Sequence, residues 1–294
     1  MGSFRRLMLL GVSAVALCVG LVGASAAPAP PKTLRLYVLD CGLINVNRAG
    51  VERYNVTPEE VGETRFAVPC FLIAHPRGTL MWDLGIVPDD TVEARARGEQ
   101  GNPTATAEAV APVKRTLASQ LAEIGYKPAD ITYFAISHAH GDHVANANLF
   151  AASTWLARPA ERAFMWEEGN TRVNRTYFDR IEKSKTISLD RDEYDVFGDG
   201  SAVIKSAPGH SPGHQVLVLN LASTGRVMLA GDLYHYPQER TLHRQPPATE
   251  FSVEQSAASR VMIEEYLKRT KTEIWIEHDF AANAKLKKAP AYYE

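Results

Sequence analysis

The chain has 294 residues, of which 32 are basic and 34 acidic, giving a formal net charge of −2 at pH 7. It contains no run of lysine and arginine, and this argues against nucleic acid or an anionic membrane surface as a partner. Its length suits one large domain or two smaller ones. Because no repeat, low-complexity block or linker follows residues 27–32, we expect residues 27–294 to form a single domain.

The first 26 residues have the pattern of a secretory signal peptide. Two arginines precede an apolar run at 7–23, which ends in an Ala-Ser-Ala sequence. We expect cleavage near Ala26, secretion of the mature chain, and a periplasmic location without stable membrane anchoring. A retained anchor is the alternative, but a run of about 17 residues is at the short end for a membrane span. Lipidation of Cys18 is disfavoured because the preceding Leu17 is bulky.

Cys41 and Cys70 are the cysteines that would survive this cleavage. Both lie in apolar, strand-like runs, LYVLDCGLI and FAVPCFLIAH. An oxidising compartment would allow them to pair, but free cysteine is also among the most buried residue types. We expect two buried free thiols rather than a disulfide, and neither cysteine has the spacing of a zinc cluster.

Short apolar runs bounded by glycine, proline and aspartate predict three strands in the first part of the chain, at 33–40, 66–75 and 78–85. Polar segments lie at 44–64 and 88–106. Each is either a plain surface loop or one wall of a groove for an apolar substrate tail.

Strands and helices alternate from residue 111 onward, and this predicts an α/β fold of two packed sheets with helices outside. Helices are predicted at 111–124, 144–153 and 251–270, the last with Ser252 as its N-cap. The strands are predicted at 130–137, 201–206, 226–232 and 273–280, and each contains or runs into a polar motif.

The sequence SHAHGDH at 137–143 contains three of the nine histidines of the chain. In an extended loop His138 and His140 project to the same side, because alternate residues face the same way. Asp142 and His143 follow where the chain turns into a helix, so they can face a second point nearby. Such a loop can supply the first ligands of two neighbouring metal sites. If the loop is considered alone, the alternative is that it is a solvated polar loop without a metal.

Three further motifs, APGH, AGD and IEHD, also come at the ends of predicted strands and supply His210, Asp232 and His278. Taken singly, each would more often be a helix cap or a hydrogen-bonded surface residue. Because loops at strand ends can converge on one edge of a sheet, we expect them to join the histidine loop in a site for two divalent metals. Imidazole and carboxylate groups together suit Zn²⁺, with Fe, Mn or Co as alternatives.

The order His-x-His-x-Asp-His, His, Asp, His resembles the signature of the metallo-β-lactamase superfamily. The resemblance covers nearly all of residues 27–294 and implies a four-layer αββα sandwich, an α/β fold in which helices flank two mixed β-sheets. It also implies seven metal ligands. The first metal would be bound by His138, His140 and His210, and the second by Asp142, His143 and His278, with Asp232 bridging both.

Within that superfamily the chain resembles the N-acyl-homoserine lactonase group. The motifs that carry this resemblance are LYVLDCG, VPCFLIAHPRGTLMWDLG, APGHSPGHQ, GDLYHYP and WIEHDF. Intervals of 67, 22 and 46 residues separate His143, His210, Asp232 and His278, and these intervals are similar to those of the lactonases. The presence of Asp232 also favours lactonases and thioesterases over class B β-lactamases, many of which lack a bridging aspartate at this place.

The resemblance implies a dinuclear-metal hydrolase that opens the lactone ring of N-acyl-homoserine lactones, a quorum-quenching activity. A metal-bound hydroxide would attack the carbonyl carbon, and Asp142 would carry a proton to the leaving oxygen. The partner would be a small acylated lactone or a related ester. The alternatives are a hydrolase of the same fold that acts on a β-lactam, a thioester or another ester, and, least favoured, a metal-binding protein without activity.

One departure concerns the group that contacts the substrate. In the lactonase group a tyrosine three residues after the bridging aspartate hydrogen-bonds the substrate carbonyl, and here that position is His235. Its neighbours Tyr234 and Tyr236 are further candidates, so any of the three can take this catalytic role.

The resemblance also implies roles for two more residues, and a third residue departs from the family pattern. Asp83, in MWDLG, would support the metal ligands from behind. His214, the second histidine of APGHSPGH, would be structural. Glu277 stands where a glycine often precedes the last ligand histidine, and this departure bears on substrate preference.

Overall fold

The computed structural model describes residues 27–98 and 113–294. The predicted signal peptide at 1–26 lies outside these ranges, as does part of the predicted polar segment 88–106. None of the helices within them has both the length and the hydrophobicity that a membrane span requires.

The strands are β1 (Arg35–Ile44), β2 (Phe66–His75), β3 (Gly78–Trp82), β4 (Tyr133–Ala135), β5 (Thr154–Ala157), β6 (Thr186–Ser188), β7 (Glu193–Asp195), β8 (Ala202–Ser206), β9 (Gln215–Leu221), β10 (Gly225–Leu229) and β11 (Glu273–Trp275). The helices are α1 (Arg48–Glu52), α2 (Pro58–Val61), α3 (Asp89–Ala96), α4 (Leu117–Glu123), α5 (Gly141–Val144), α6 (Pro159–Trp166), α7 (Pro237–Thr241), α8 (Val253–Thr270) and α9 (Phe280–Asn283).

These strands form two mixed sheets. In the first, β1 to β6 lie side by side in chain order, antiparallel from β1 to β3 and parallel from β3 to β6. The second has the order β11-β10-β9-β8-β7 and is antiparallel except for the β10–β11 pair. Because β3 and β4 are parallel, with Trp82 opposite Ala135, their carboxyl ends lie at the same edge. The polar residues that follow both strands therefore become neighbours.

The sheets pack face to face through alternate residues of their strands, as the two-residue period of a β-strand requires. Every residue of β2 is buried. Phe71 belongs to an apolar cluster between the sheets that includes Leu217 of the second sheet. Its neighbour Leu72 points the other way and belongs to a cluster that includes Leu121 of α4. The first sheet is therefore covered on its outer face by helices.

Helix α8 covers the outer face of the second sheet. It buries Ile263 and Leu267 in a cluster that includes Val218 of β9. Full burial of one such aliphatic side chain contributes about 1.5–3 kcal/mol. The helix begins as predicted, because the Ser252 side chain accepts a hydrogen bond from the backbone N–H of Gln255. The predicted four-layer sandwich is confirmed.

Cys41 and Cys70 form a disulfide, so the prediction of two free thiols was wrong. The cysteines are 29 residues apart in sequence, but β1 and β2 are antiparallel neighbours, with Leu39 opposite Cys70. The register shifts between Asp40 and Leu43. The two Cα atoms lie 5.7 Å apart, a separation that a disulfide spans. The pairing depends on strand register, which the two apolar runs do not encode separately.

Within the described residues, the helix predicted at 111–124 is shorter than expected and covers Leu117–Glu123. It begins at Leu117, since the Thr116 side chain accepts a hydrogen bond from the N–H of Ser119 and caps the helix there. Residues 111 and 112 lie outside the described ranges.

The continuous helix predicted at 144–153 is replaced by two short helical turns. Helix α5 ends at Val144, and a 3₁₀ turn covers Ala147–Phe150. Between them, the backbone N–H and side-chain amide of Asn146 both donate to the carbonyl of Leu84. Tertiary hydrogen bonds to the loop after β3 therefore replace the helical ones.

Candidate metal centre

Four polar motifs meet at one edge of the sandwich, where strands of both sheets end. β4 leads into the histidine loop 137–143, while β8, β10 and β11 lead to His210, Asp232 and His278. All seven side chains predicted from the sequence come together there. Their ligand atoms form two groups, each within 4.8 Å, with His138, His140, His210 and Asp232 in one and Asp142, His143 and His278 in the other.

The histidine loop is fixed by two buried carboxylates. Asp83 Oδ1 accepts a hydrogen bond from the N–H of Ser137 at 2.6 Å, and its Oδ2 lies 3.2 Å from His143 Nδ1. Asp83 thus holds both the backbone and a candidate ligand, in keeping with the sequence prediction. Glu161 of α6 accepts a hydrogen bond from the N–H of Ala139 at 2.7 Å. The loop is therefore held in place by the protein.

Gly231 allows Asp232 to approach this loop. Its φ is +48°, and a Cβ at this position would lie 2.6 Å from the Cβ of Ser137 and 2.8 Å from His214 Nε2, so glycine is required. The N–H of Asp232 donates to His214 Nε2 at 3.0 Å, and His214 Nδ1 lies 2.9 Å from the carbonyl oxygen of Ala207. Both ring nitrogens of His214 are occupied by backbone groups, so its role is structural.

The first donor group has the spacing of ligands around one ion. His138 Nε2 lies 2.9 Å from His140 Nδ1, and His210 Nε2 lies 3.2 Å and 3.0 Å from these two nitrogens. Tetrahedral zinc with Zn–N bonds of about 2.0–2.1 Å would separate its ligand atoms by about 3.3 Å. The three nitrogens therefore fit one small divalent cation.

The two oxygens of Asp232 face different donor groups. Oδ2 lies 3.2 Å from His210 Nε2, whereas Oδ1 lies 3.2 Å from His143 Nε2 and 3.1 Å from His278 Nε2. Asp142 Oδ2 is 3.5 Å from His278 Nε2 and completes the second group. Within the described residues, Asp232 Oδ1 and His143 Nε2 are buried without a hydrogen-bond partner. Metal coordination would satisfy both atoms, so the residues fit two divalent ions.

The outward-facing ring nitrogens orient the ligands. His278 Nδ1 lies 2.9 Å from the carbonyl oxygen of Ala67, so its Nε2 faces Asp232. His210 Nδ1 lies 3.2 Å from Oε1 of the buried Glu250, whose Oε2 accepts a hydrogen bond from Ser256 Oγ. Such partners fix the tautomer and the ring orientation of a metal ligand.

The charge states of His138, His140 and Asp232 suit metal binding. Burial lowers the pKa of His138 well below its ordinary value and lowers the pKa of His140 to about 3. Both imidazoles are therefore neutral at physiological pH, the form that binds a metal. Burial would raise the pKa of Asp232, but the neighbouring His278 and His143 hold it well below its ordinary value. Burial would lower the pKa of His143 and of His210, but the neighbouring Asp232 carboxylate raises both above the ordinary value, so metal binding at these two residues would release protons.

The centre forms the floor of a cavity of about 390 Å³. Part of the wall comes from the predicted polar segment 44–64, which folds into α1 and α2 with their flanking loops. Of the other predicted segment, the described residues 88–98 do not line this cavity. The wall residues from the first segment are Ile44, Asn45, Val46, Asn47, Gly50, Arg53 and Tyr54.

Of the three substrate-contact candidates, His235 alone lines this cavity. The hydroxyl of Tyr234 donates to Glu264 Oε1, and that of Tyr236 donates to the carbonyl of Thr64. The hydroxyls of these two candidates therefore already donate to protein groups, and neither residue lines the cavity.

Sequence reasoning missed Tyr54, Glu161 and Glu250. Each comes from a segment without a histidine motif, and its place beside the centre depends on tertiary packing. For example, the serines that follow Glu250, at 252 and 256, do not form a known metal-binding motif that would mark this glutamate. No sequence pattern would have found them.

Comparison with known proteins agrees with this geometry. The family model described as Metallo-beta-lactamase superfamily matches residues 64–269, more than half of the chain. The N-acyl homoserine lactonase AttM of Azorhizobium caulinodans is 28% identical over 269 residues, which cover 89% of this chain and 99% of that protein.

Solved structures share the fold at lower sequence identity. An N-acyl homoserine lactone hydrolase with N-hexanoyl-L-homoserine bound at its catalytic metal centre has a TM-score of 0.70 and 23% identity, covering 89% of this chain and all of that one. The dizinc quorum-quenching lactonase AidC has a TM-score of 0.61 and 18% identity, covering 89% of this chain and 94% of that one.

Proposed function

Because the chain belongs to the metallo-beta-lactamase superfamily, we propose that it is a hydrolase that uses two divalent metal ions to open the lactone ring of N-acyl homoserine lactones. The division of the Asp232 oxygens between two donor groups is the observation that carries this proposal. A lactone is the favoured substrate because the similar AttM protein, matched over nearly its full length, is a lactonase of this type.

We propose zinc for both metal positions. The donors are imidazole nitrogens and carboxylate oxygens, a set that suits Zn²⁺. When bound, two such ions supply a nucleophile from water at neutral pH and polarise the substrate carbonyl. The first group, His138, His140 and His210, and the second, Asp142, His143 and His278, would each hold one ion, with Asp232 between them.

Asp142 is suited to proton transfer. Its side chain is 17% exposed, against 4% for Asp232, and it lines the cavity. A carboxylate at this place can accept a proton and deliver it to the leaving ring oxygen. Phe66 stacks on His278 with ring centroids 4.6 Å apart and covers that side of the centre. The chain therefore supplies the proton carrier and an apolar cover that limits water access.

A substrate panel tests the proposal. Purified protein is loaded with Zn²⁺, its metal content is measured, and hydrolysis is followed for short- and long-chain acyl-homoserine lactones, a thioester and a cephalosporin. We expect about two metal ions per chain and the highest kcat/KM with a lactone. Faster turnover of the thioester or the cephalosporin would overturn the substrate assignment, and a protein that retains no metal would overturn the mechanism.

Two histidine variants provide the matched comparison. His138→Ala removes a candidate ligand and should lose metal and activity together. His243 is exposed and lies outside both donor groups. His243→Ala should keep both, so equal losses in the two variants would contradict a specific metal centre.

We also propose that the mature protein is secreted to the periplasm after cleavage near Ala26. The signal-like sequence of residues 1–26 supports this location. The Cys41–Cys70 disulfide supports it too, because disulfides persist in oxidising compartments. Cell fractionation with N-terminal sequencing tests it, and a cytoplasmic protein with an uncleaved N-terminus would overturn it.

A further inference from the structure

Tyr54 differs from the other tyrosines around His235 in what its hydroxyl contacts. The hydroxyls of Tyr234 and Tyr236 donate to Glu264 and to the carbonyl of Thr64. The Tyr54 hydroxyl makes no hydrogen bond within the described ranges 27–98 and 113–294, although its side chain lines the cavity over the metal centre. It is therefore the tyrosine of this site that can still donate a hydrogen bond to a ligand.

The ring of Tyr54 is held in a defined position. It packs against His235 with centroids 4.1 Å apart and an interplanar angle of 33°, and its centroid distances to the rings of Phe66 and Tyr236 are 5.7 Å and 5.8 Å. Aromatic pairs at such distances stabilise one another. These rings, one from β2 and two from the segment before α7, therefore fix the direction of the phenol, as a preorganised donor requires.

Lactone hydrolysis needs donors at the carbonyl oxygen, because negative charge develops there as the tetrahedral intermediate forms. Few donors in the cavity are available for this. His210 and His278 direct one ring nitrogen to the protein and the other to the donor groups. His235 directs its Nε2 to Asp232 Oδ2, 3.3 Å away. Asn45 and Asn47 are exposed, and the side-chain oxygen of Asn47 already accepts a hydrogen bond from the N–H of Gly50.

Arg53 also lines the cavity and is a strong donor, but it is exposed. A hydrated guanidinium is screened by solvent and loses rotamer freedom when it binds. Tyr54 is half-buried and its ring is already packed against other rings, so donation from it costs less.

We propose that Tyr54 donates a hydrogen bond to the scissile carbonyl oxygen and stabilises the charge that develops there. This rests on the proposed hydrolase function. The phenol keeps its proton throughout, so no bond to Tyr54 forms or breaks during the reaction.

The protonation state of Tyr54 agrees with a donor role. Burial and the nearby charge of Asp232 raise its pKa above the ordinary value. The phenol is protonated at neutral pH even without this shift.

Tyr54→Phe tests the proposal, because it removes the hydroxyl and keeps the ring that packs against His235. We expect kcat to fall about 10- to 100-fold, since loss of one oxyanion donor reduces kcat strongly, while KM changes less than about threefold. Tyr194→Phe is the matched control, since Tyr194 is half-buried on β7 in the second sheet and does not line the cavity. It should leave kcat within about twofold.

Metal content and thermal unfolding are measured for every variant, so that a folding defect is recognised. If Tyr54→Phe does not fold, Tyr54→His keeps an aromatic donor and should retain more activity than Tyr54→Leu at equal metal content. Equal kcat in Tyr54→Phe and wild type, or a loss confined to KM, would overturn the proposal.

The substrate panel separates this inference from the proposed function. If the wild-type protein hydrolyses a thioester faster than any lactone, the lactonase assignment fails, but the Tyr54→Phe comparison on that thioester still applies. If lactones are turned over and Tyr54→Phe matches wild type, the lactonase assignment stands and the role of Tyr54 fails.

Discussion

The carboxylate of Glu161 accepts a hydrogen bond from the backbone N–H of Ala139 at 2.7 Å. Its second oxygen accepts hydrogen bonds from Ser211 Oγ at 2.6 Å and from the N–H of Gly213 at 2.8 Å. Ala139 lies between two candidate ligands of the first metal, and Ser211 follows the third, His210. One buried carboxylate thus joins the two loops that build the first donor group.

Glu161→Gln should therefore weaken the metal centre without touching a ligand. Both oxygens of Glu161 accept hydrogen bonds. In the glutamine variant an NH2 group would replace one of these oxygens, so the N–H or O–H group that now donates to it would be buried without an acceptor. We expect the free energy of unfolding to fall by about 1–3 kcal/mol and metal affinity to fall about 10- to 100-fold. Urea unfolding and competition with a chelator measure these effects.

Glu168→Gln is the control for this change, because Glu168 is exposed just beyond the end of α6. It should match the wild-type protein in both measurements. Unchanged metal affinity in Glu161→Gln would contradict the assigned role of the carboxylate.

Asp232→Asn tests the bridge between the donor groups. The amide removes the negative charge and leaves one carbonyl oxygen to serve both sides, so we expect fewer than two tightly bound ions per chain. The kcat/KM for the best substrate should fall by about 100-fold or more, because the nucleophile depends on both ions. Elemental analysis and steady-state kinetics on the same samples check the two losses.

Asp199→Asn is the matched control for Asp232→Asn. Asp199 also pairs with a histidine, His75, at 2.9 Å, but neither residue belongs to the two donor groups. Two full equivalents of metal in Asp232→Asn, or equal effects of both substitutions, would argue against a bridging carboxylate.

The convergence of the seven candidate ligands could be predicted because each one follows the end of a predicted strand, where local sequence carries the signal. Asp83 was assigned only through the resemblance of its MWDLG motif to the family. Glu161 could not be predicted, since a glutamate in an amphipathic helix has the same local pattern whether it is solvated or buried. Its place depends on how α6 packs against two loops. Tyr54 lies in a segment whose polarity predicts a loop but not which side chain faces the cavity.

The disulfide shows the same limit for the fold. Short apolar runs predicted β1 and β2, but the contact between Cys41 and Cys70 depends on their pairing register and on the irregularity between Asp40 and Leu43. Register arises from the whole sheet and from the layers that cover it. A pattern within either strand alone does not specify it.

Removal of the disulfide should lower stability. It closes a loop of 29 residues between neighbouring strands, and the loss of this constraint on the unfolded chain corresponds to about 3–4 kcal/mol. Urea unfolding with and without a reducing agent measures the difference. The Cys41→Ala, Cys70→Ala double variant should be less stable than the oxidised protein and insensitive to the reductant. Equal stability of all samples would contradict a structural role for the bridge.

Lys288 should make the free energy of unfolding depend on pH in the alkaline range. Burial lowers the pKa of its ammonium group to about 8, despite the opposing charges of Asp40 and Glu277. Between about pH 8 and the ordinary lysine pKa of about 10.4, the unfolded chain binds more protons than the folded chain, so the contribution of Lys288 to the free energy of unfolding increases with pH. Because the group is partly exposed, we expect an increase of about 1–2 kcal/mol at most.

Lys288→Met isolates this contribution. The variant should be more stable than the wild-type protein at pH 7, because it no longer places a partly desolvated charge in the fold. The advantage should shrink as the pH rises from 8 toward 10, when the wild-type lysine becomes neutral in the folded chain. Lys285 is exposed, so Lys285→Met should follow the wild-type curve. Urea unfolding at several pH values compares the three proteins, and a constant difference between Lys288→Met and wild type would show that the lysine does not titrate in this range.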